Sequence, residues 1–181
     1  MEYRIIRSRR KTVAIEITPQ GNILVRCPNR MPRRQIHAFV ESKAGWIRNH
    51  LEKFASRPHA APMSPEQHQA LIRSAKAYLP DRVRFWSGQT GISCSRITIR
   101  SQHTRWGSCS ASGSLSFNCL LMLAPEDVRD YVIVHELCHR MEMNHSPRFW
   151  AQVESILPGY RVQKQWLKEN GAFLLEMLPE Y

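Results

Sequence analysis

Tyr131-Val132-Ile133-Val134-His135-Glu136-Leu137-Cys138-His139-Arg140-Met141-Glu142-Met143-Asn144-His145-Ser146-Pro147-Arg148-Phe149-Trp150 carries two histidines four residues apart, a glutamate between them and a third histidine six residues on. On a helix, positions i and i+4 stack on one face a turn apart, so His135 and His139 can aim two imidazoles at one point. Two protein ligands can hold a zinc ion from a single helix in this way. Glu136 follows the first histidine in this His-Glu-x-x-His (HExxH) pattern without binding the ion. It is placed to take a proton from water activated by the metal and to pass it to a leaving amine. The flanks suit a helix. Pro125 fits a first turn, Glu126 and Asp127 complement the positive helix end, and Tyr131 to Val134 are apolar enough to be buried.

A catalytic zinc normally has three protein ligands plus water. His145 is the third candidate. Were the helix to continue, it would lie about 9 Å beyond His139 at ~1.5 Å per residue, so the chain has to turn first. Asn144 tolerates a left-handed conformation, and Ser146-Pro147 reads as an N-cap followed by proline at the first helical position. A new helix is expected there, burying Phe149, Trp150, Val153, Ile156 and Leu157. Glu142 is a rival ligand, but about 10 Å past His135 it is too far to close the site. A purely structural zinc site fits poorly: such sites usually close with a fourth Cys or His, and Cys138 points away from the two histidines. The expectation is a three-histidine site.

Further segments strengthen this. Thr104-Arg105-Trp106-Gly107-Ser108-Cys109-Ser110, Gly113-Ser114-Leu115-Ser116-Phe117-Asn118, Tyr131 to His139 and Asn144 to Trp150, with the N-terminal run Arg9 to Thr12 and the helix near Trp46-Ile47, together resemble the YgjP-like metallopeptidases, relatives of the SprT-type zinc proteases. The resemblance implies His135, His139 and His145 as zinc ligands and Glu136 as general base. It also implies that the region from Trp106 to Asn118 supplies an edge strand beside the metal helix, on which a substrate backbone can add as a further strand. Metzincins share the spacing of the third histidine, but they turn at a glycine where this chain has Glu142, and no later methionine turn is identifiable.

The chain has 181 residues, enough for one good core with a small appended unit. No apolar run is long enough to cross a membrane, and the charged N-terminus does not read as a signal peptide. Five cysteines without a Cys-x-x-Cys pairing favour reduced thiols in a cytoplasmic protein. The net charge of +11 is uneven: residues 1–60 hold 13 Lys/Arg against 4 Asp/Glu, and residues 61–181 hold 13 against 11. A basic N-terminal unit suggests a polyanionic partner, nucleic acid being the obvious candidate, against the plainer account of a merely solvated positive face.

Along the chain, residues 12–17 and 23–26 alternate as a β-hairpin about a turn at 19–22, and residues 32–56 read as one amphipathic helix with Ile36, Val40, Ala44, Ile47, Leu51 and Phe54 inward and Arg33, Arg34, Arg48 and Lys53 outward. Trp46 is expected at a core edge. Prolines mark 57–65 as a linker, with His59 and His68 solvated. Ser64-Pro65-Glu66 starts a helix through Leu71, Ala75 and Tyr78 that can extend beyond Pro80 to Phe85 and Trp86, with Pro80 expected to break or kink it. Residues 96–101 and 115–119 read as strands. After Pro158-Gly159-Tyr160 comes a last helix, expected to stop at Asn170-Gly171. Arg105 can face the cleft and His103 is expected at the surface. Tyr160 is a weak candidate for hydrogen-bonding an oxyanion, a packed and partly exposed role being favoured.

The expected architecture is therefore α+β (α/β mixed) and zincin-like: a small antiparallel sheet packed on helices. It comprises a basic hairpin-plus-helix unit over 1–56, a linker over 57–65 and a metallopeptidase domain over 66–181. The expected activity is zinc-dependent hydrolysis of peptide bonds in peptides or proteins through a metal-activated water. Two other readings are a zinc hydrolase of non-peptide amides and a nucleic-acid-binding protein whose metal centre is structural.

Overall fold

The computed structural model of the chain describes residues 1–18, 21–56 and 59–179. Part of the expected turn at 19–22, part of the expected linker and the side chains of Lys53 and Phe54 lie outside the described residues. The fold is α+β, and the chain divides into two compact units, Met1–His59 and Ala60–Tyr181.

In the first unit, β1 (Arg4–Ser8), β2 (Ala14–Ile17) and β3 (Ile23–Pro28) form a sheet in the order β1-β3-β2. The β2–β3 hairpin is antiparallel, with Ile15 opposite Val25, while β1 runs parallel to β3. Ile23, Val25 and Cys27 alternate onto the buried face of β3, as a half-buried strand requires, and meet Ile36, Val40 and Ile47. The expected single helix is two: α1 (Arg33–Ser42) and α2 (Ala44–Ala55), interrupted at Lys43 with φ −108° and ψ 8°. Trp46 is not at a core edge. It is 44% exposed, and its ring lies 4.0 Å from that of His50.

The second unit opens with α3 (Pro65–Thr90), started by a reciprocal capping box: Ser64 Oγ accepts from the Gln67 amide and Gln67 Oε1 accepts from the Ser64 amide. The helix continues through Pro80 without a break, past Phe85 and Trp86 to Thr90. Ala75, Leu79 and Val83 are buried on one side of the proline's turn, so packing outweighs the missing hydrogen bond, and the carbonyl four residues back belongs to exposed Lys76, where water can serve it. His68 is not solvated: it is 3% exposed, with Nε2 2.8 Å from Ser101 Oγ, because it falls on the face of α3 turned to the unit's interior.

β4 (Arg96–Arg100), β5 (Gly107–Cys109) and β6 (Ser114–Asn118) form the second sheet, in the order β4-β6-β5. The expected antiparallel sheet is instead mixed: β5 and β6 are an antiparallel hairpin, but β4 returns parallel to β6 because the chain crosses through the 101–106 loop before β5 begins. A 3-10 turn (Cys119–Leu123) leads to α4 (Glu126–Cys138), followed by α5 (Pro147–Ile156) and α6 (Arg161–Glu176). Leu115 and Phe117 of β6 meet Ile133, Val134 and Leu137 of α4 and Phe149 and Val153 of α5 in one core. α4 is buried on nearly all sides beyond its first turn and is the central helix of this unit. α6 does not stop at Gly171: the glycine packs so closely on Trp106 that a Cβ would sit 3.2 Å from the indole, so it serves contact and not termination. No helix among the described residues is long and apolar enough to cross a membrane.

Candidate metal centre

α4 delivers His135 and Glu136 from its last turn, and His139 caps its C-terminus. Hydrogen bonds from the Arg140 amide to the Leu137 carbonyl and from the Met141 and Glu142 amides to the Cys138 carbonyl then close the helix end. The reversal needs no left-handed residue, and Asn144 has an ordinary negative φ. Its carbonyl instead accepts from the Ser146 amide at 2.8 Å. Ser146 caps α5 by accepting from the Phe149 amide at 3.3 Å, with Pro147 in the first turn, as the sequence indicates. His145 is thereby folded back.

One ring nitrogen from each of His135, His139 and His145 lies within 4.8 Å of the other two. Nε2 of His145 is 3.0 Å from Nε2 of His135. His139 donates from Nδ1 to the Glu142 carbonyl at 3.0 Å, which leaves the Nε2 lone pair to face its neighbours. Glu142 thus acts through its backbone, not as a carboxylate ligand. The rings are packed by Phe149, whose centroid is 4.4 Å from that of His139 and 4.9 Å from those of the other two. Burial, then the neighbouring imidazoles, lower the His135 pKa to about 3, and burial also lowers that of His145. Neutral rings with convergent lone pairs are the donor set that a divalent transition metal requires, and imidazole suits zinc. The residues fit such an ion.

Glu136 is 5% exposed, and its Oε2 has no hydrogen-bond partner among the described residues. Burial pushes its carboxyl up to about 8, and Arg105 opposes the rise. Its other oxygen lies against the backbone of β5, where a Cβ on Gly107 would be 2.6 Å from Oε1. β5 is at the edge of its sheet, so the strand flanking the carboxylate has a side without a strand partner among the described residues. Asn118, 1% exposed, ties the approach to β5: Nδ2 donates to the carbonyls of Gln102 and Arg105, and Oδ1 accepts from the Leu120 amide. The next residue after the motif, Arg140, donates from Nε to the Ser93 carbonyl at 3.2 Å and lies over Gly113, whose φ of 83° suits the β5–β6 turn.

Of the other candidates, Arg105 and His103 are exposed. Tyr160 is more buried than expected, at 4%, stacked between Tyr131 and Trp150 at 5.9 and 5.3 Å. Cys138 is fully buried in the core. Gly107 and Asn118 fall within the segments that resemble the family, but neither has a role of its own in the sequence reading. A glycine inside a strand pattern signals close backbone approach and would have pointed to the first.

The chain matches the model of the YgjP-like metallopeptidase domain over residues 11–71 and 64–170, and it belongs to that family. It is a metallopeptidase, and so a hydrolase. Two solved structures are similar to part of it. The metallopeptidase zymogen abylysin of Pyrococcus abyssi is 21% identical, with 50% of this chain and 92% of that chain covered and a TM-score of 0.45. The metallopeptidase zymogen jannalysin of Methanocaldococcus jannaschii is 23% identical over 51% of this chain and 93% of that one, with a TM-score of 0.43. No curated protein matches the sequence.

Proposed function

We propose that His135, His139 and His145 hold a zinc ion, that Glu136 is the general base, and that the enzyme hydrolyses peptide bonds of peptide or protein substrates. The observation that carries this is the convergence of three imidazole nitrogens within 4.8 Å beside a buried carboxylate with an unpartnered oxygen. Zinc, when bound, lowers the pKa of water from ~15.7 toward neutrality and polarises a carbonyl. Glu136 Oε2 accepts the proton of the attacking water and returns it to the departing amine. The Glu142 carbonyl holds His139 in the tautomer with a free Nε2. Gly107 lets β5 lie against the carboxylate, and the outer edge of β5 offers backbone groups to an extended peptide. All five cysteines are free thiols, which supports a reducing, cytoplasmic setting.

Glu136→Gln tests the assignment. The variant should retain one equivalent of zinc and lose peptide hydrolysis by a factor of ~10²–10⁴. Turnover equal to that of the parent would remove Glu136 from the chemistry. Activity on small amides but on no peptide or protein would move the substrate class instead.

A further inference from the structure

Two exposed cations lie on elements that flank the metal centre. Lys164, in the first turn of α6, places Nζ 3.8 Å from the centre of the Trp150 ring. That ring lies 5.6 Å from the ring of His145 and 5.7 Å from that of His135. A cation–π contact holds an ammonium in place without neutralising it. On a different element, Arg105 sits two residues before Gly107, the residue against which Glu136 rests. Its carbonyl is anchored by buried Asn118 at 3.0 Å.

Several cations of this unit have partners, whereas Arg148 and Lys168 are exposed and unpaired among the described residues, like the two above. Arg82 pairs with Asp130, Arg161 with Glu154, and Arg129 and Arg140 donate to the carbonyls of Ala124 and Ser93. Lys164 and Arg105 are exposed, and neither has a carboxylate within 4.0 Å among the described residues. A bound divalent cation would add to this positive field, so a ligand of the same sign is repelled and an anionic one is drawn in.

We propose that Lys164 and Arg105 are specificity-determining residues that select peptides carrying Asp or Glu beside the scissile bond. The inference rests on the metallopeptidase reading above, and concerns which peptides are chosen. Lys164 would meet an acidic side chain on the side of His145 and Trp150, and Arg105 one on the side of β5.

The test uses paired peptides that differ only by Glu or Gln at the positions flanking the cleaved bond, with the full zinc-loaded chain. The Glu peptide should be favoured about tenfold in kcat/KM at low salt, with the ratio shrinking as salt rises. Lys164→Gln and Arg105→Gln should each cut that ratio several-fold, and Lys164→Arg should keep most of it. Calorimetric binding of the same pair to zinc-loaded Glu136→Gln protein, with and without Lys164→Gln, separates selection from chemistry. Tighter, Lys164-dependent binding of the Glu peptide without any cleavage by the parent would uphold the selectivity and sink the hydrolytic reading. Equal handling of the two peptides by the parent, or a preference untouched by both variants, would overturn the inference.

Discussion

Gly107 and Glu136 are in such close contact that a methyl group on the glycine would lie 2.6 Å from Oε1 and 2.7 Å from Cγ of the glutamate. Both belong to the regular elements that build the site, β5 and α4, so neither backbone can step aside cheaply. Gly107→Ala is expected to push the carboxylate off its position while leaving the three histidines in place. Zinc content measured by elemental analysis should be unchanged, and peptide turnover should fall by roughly 10²-fold, the scale of an ångström-sized misplacement. Turnover within twofold of the parent would mean that the carboxylate position is not critical.

The buried titratable groups give the metal-free chain a characteristic pH dependence. His135 is lowered by burial from 6.5 to about 3, so the unfolded state binds more protons there and stability rises with pH across that window. Glu136 is raised by burial from 4.5 to about 8, so the folded state binds more protons and stability falls as pH rises through that window. Between 4.5 and 6.5 the two oppose each other. From 6.5 to 8 only the glutamate acts, and thermal unfolding of metal-free protein should show stability declining there. Glu136→Gln should abolish that decline. A variant that declines as steeply as the parent would place the titrating group elsewhere.

Asp130 accepts both Nε and Nη2 of Arg82, at 2.6 and 2.5 Å, tying α4 to α3. The carboxylate side chain is 10% exposed and the guanidinium 25%. Removing one partner of a fully buried pair costs about 3–5 kcal/mol. Because water reaches part of Arg82 and Glu126 stands 3.3 Å away as a second partner, Asp130→Ala should cost somewhat less, about 2–3 kcal/mol in denaturant titrations. A loss under 0.5 kcal/mol would show the pair to be no better than a surface one.

Ser146 links folding to the metal site, since the cap that starts α5 adjoins His145. Ser146→Ala should lower stability by ~1 kcal/mol. It should also weaken zinc binding, as the third histidine's connection loosens, in a competition titration against a chelator. Zinc affinity equal to the parent's would show that His145 is positioned by Phe149 and Trp150 alone.

Much of this molecule is written locally. The four-residue spacing of His135 and His139, the Ser146-Pro147 helix start, the Ser64 cap and the alternation of Leu115 and Phe117 each act over a turn or a strand. Their physics is complete within a few residues. Pro80, Gly171, Asn144 and His68 show where that logic ends. Pro80 and Gly171 carry helix-stopping tendencies that burial of Leu79 and Val83 and contact with Trp106 override, Asn144 turns the chain without a left-handed backbone, and His68 is drawn inside by the face on which it falls.

From the sequence alone came the histidine spacing, the glutamate beside it and the family to which the chain belongs. The tertiary structure alone decided that β4 returns parallel to β6, that Gly107 makes room for the carboxylate, and that Lys164 rests on Trp150 beside His145. The division follows from range. Helix caps and side-chain periodicity are set by neighbours along the chain, whereas strand order, close contact and electric field depend on residues tens of positions apart that only packing brings together.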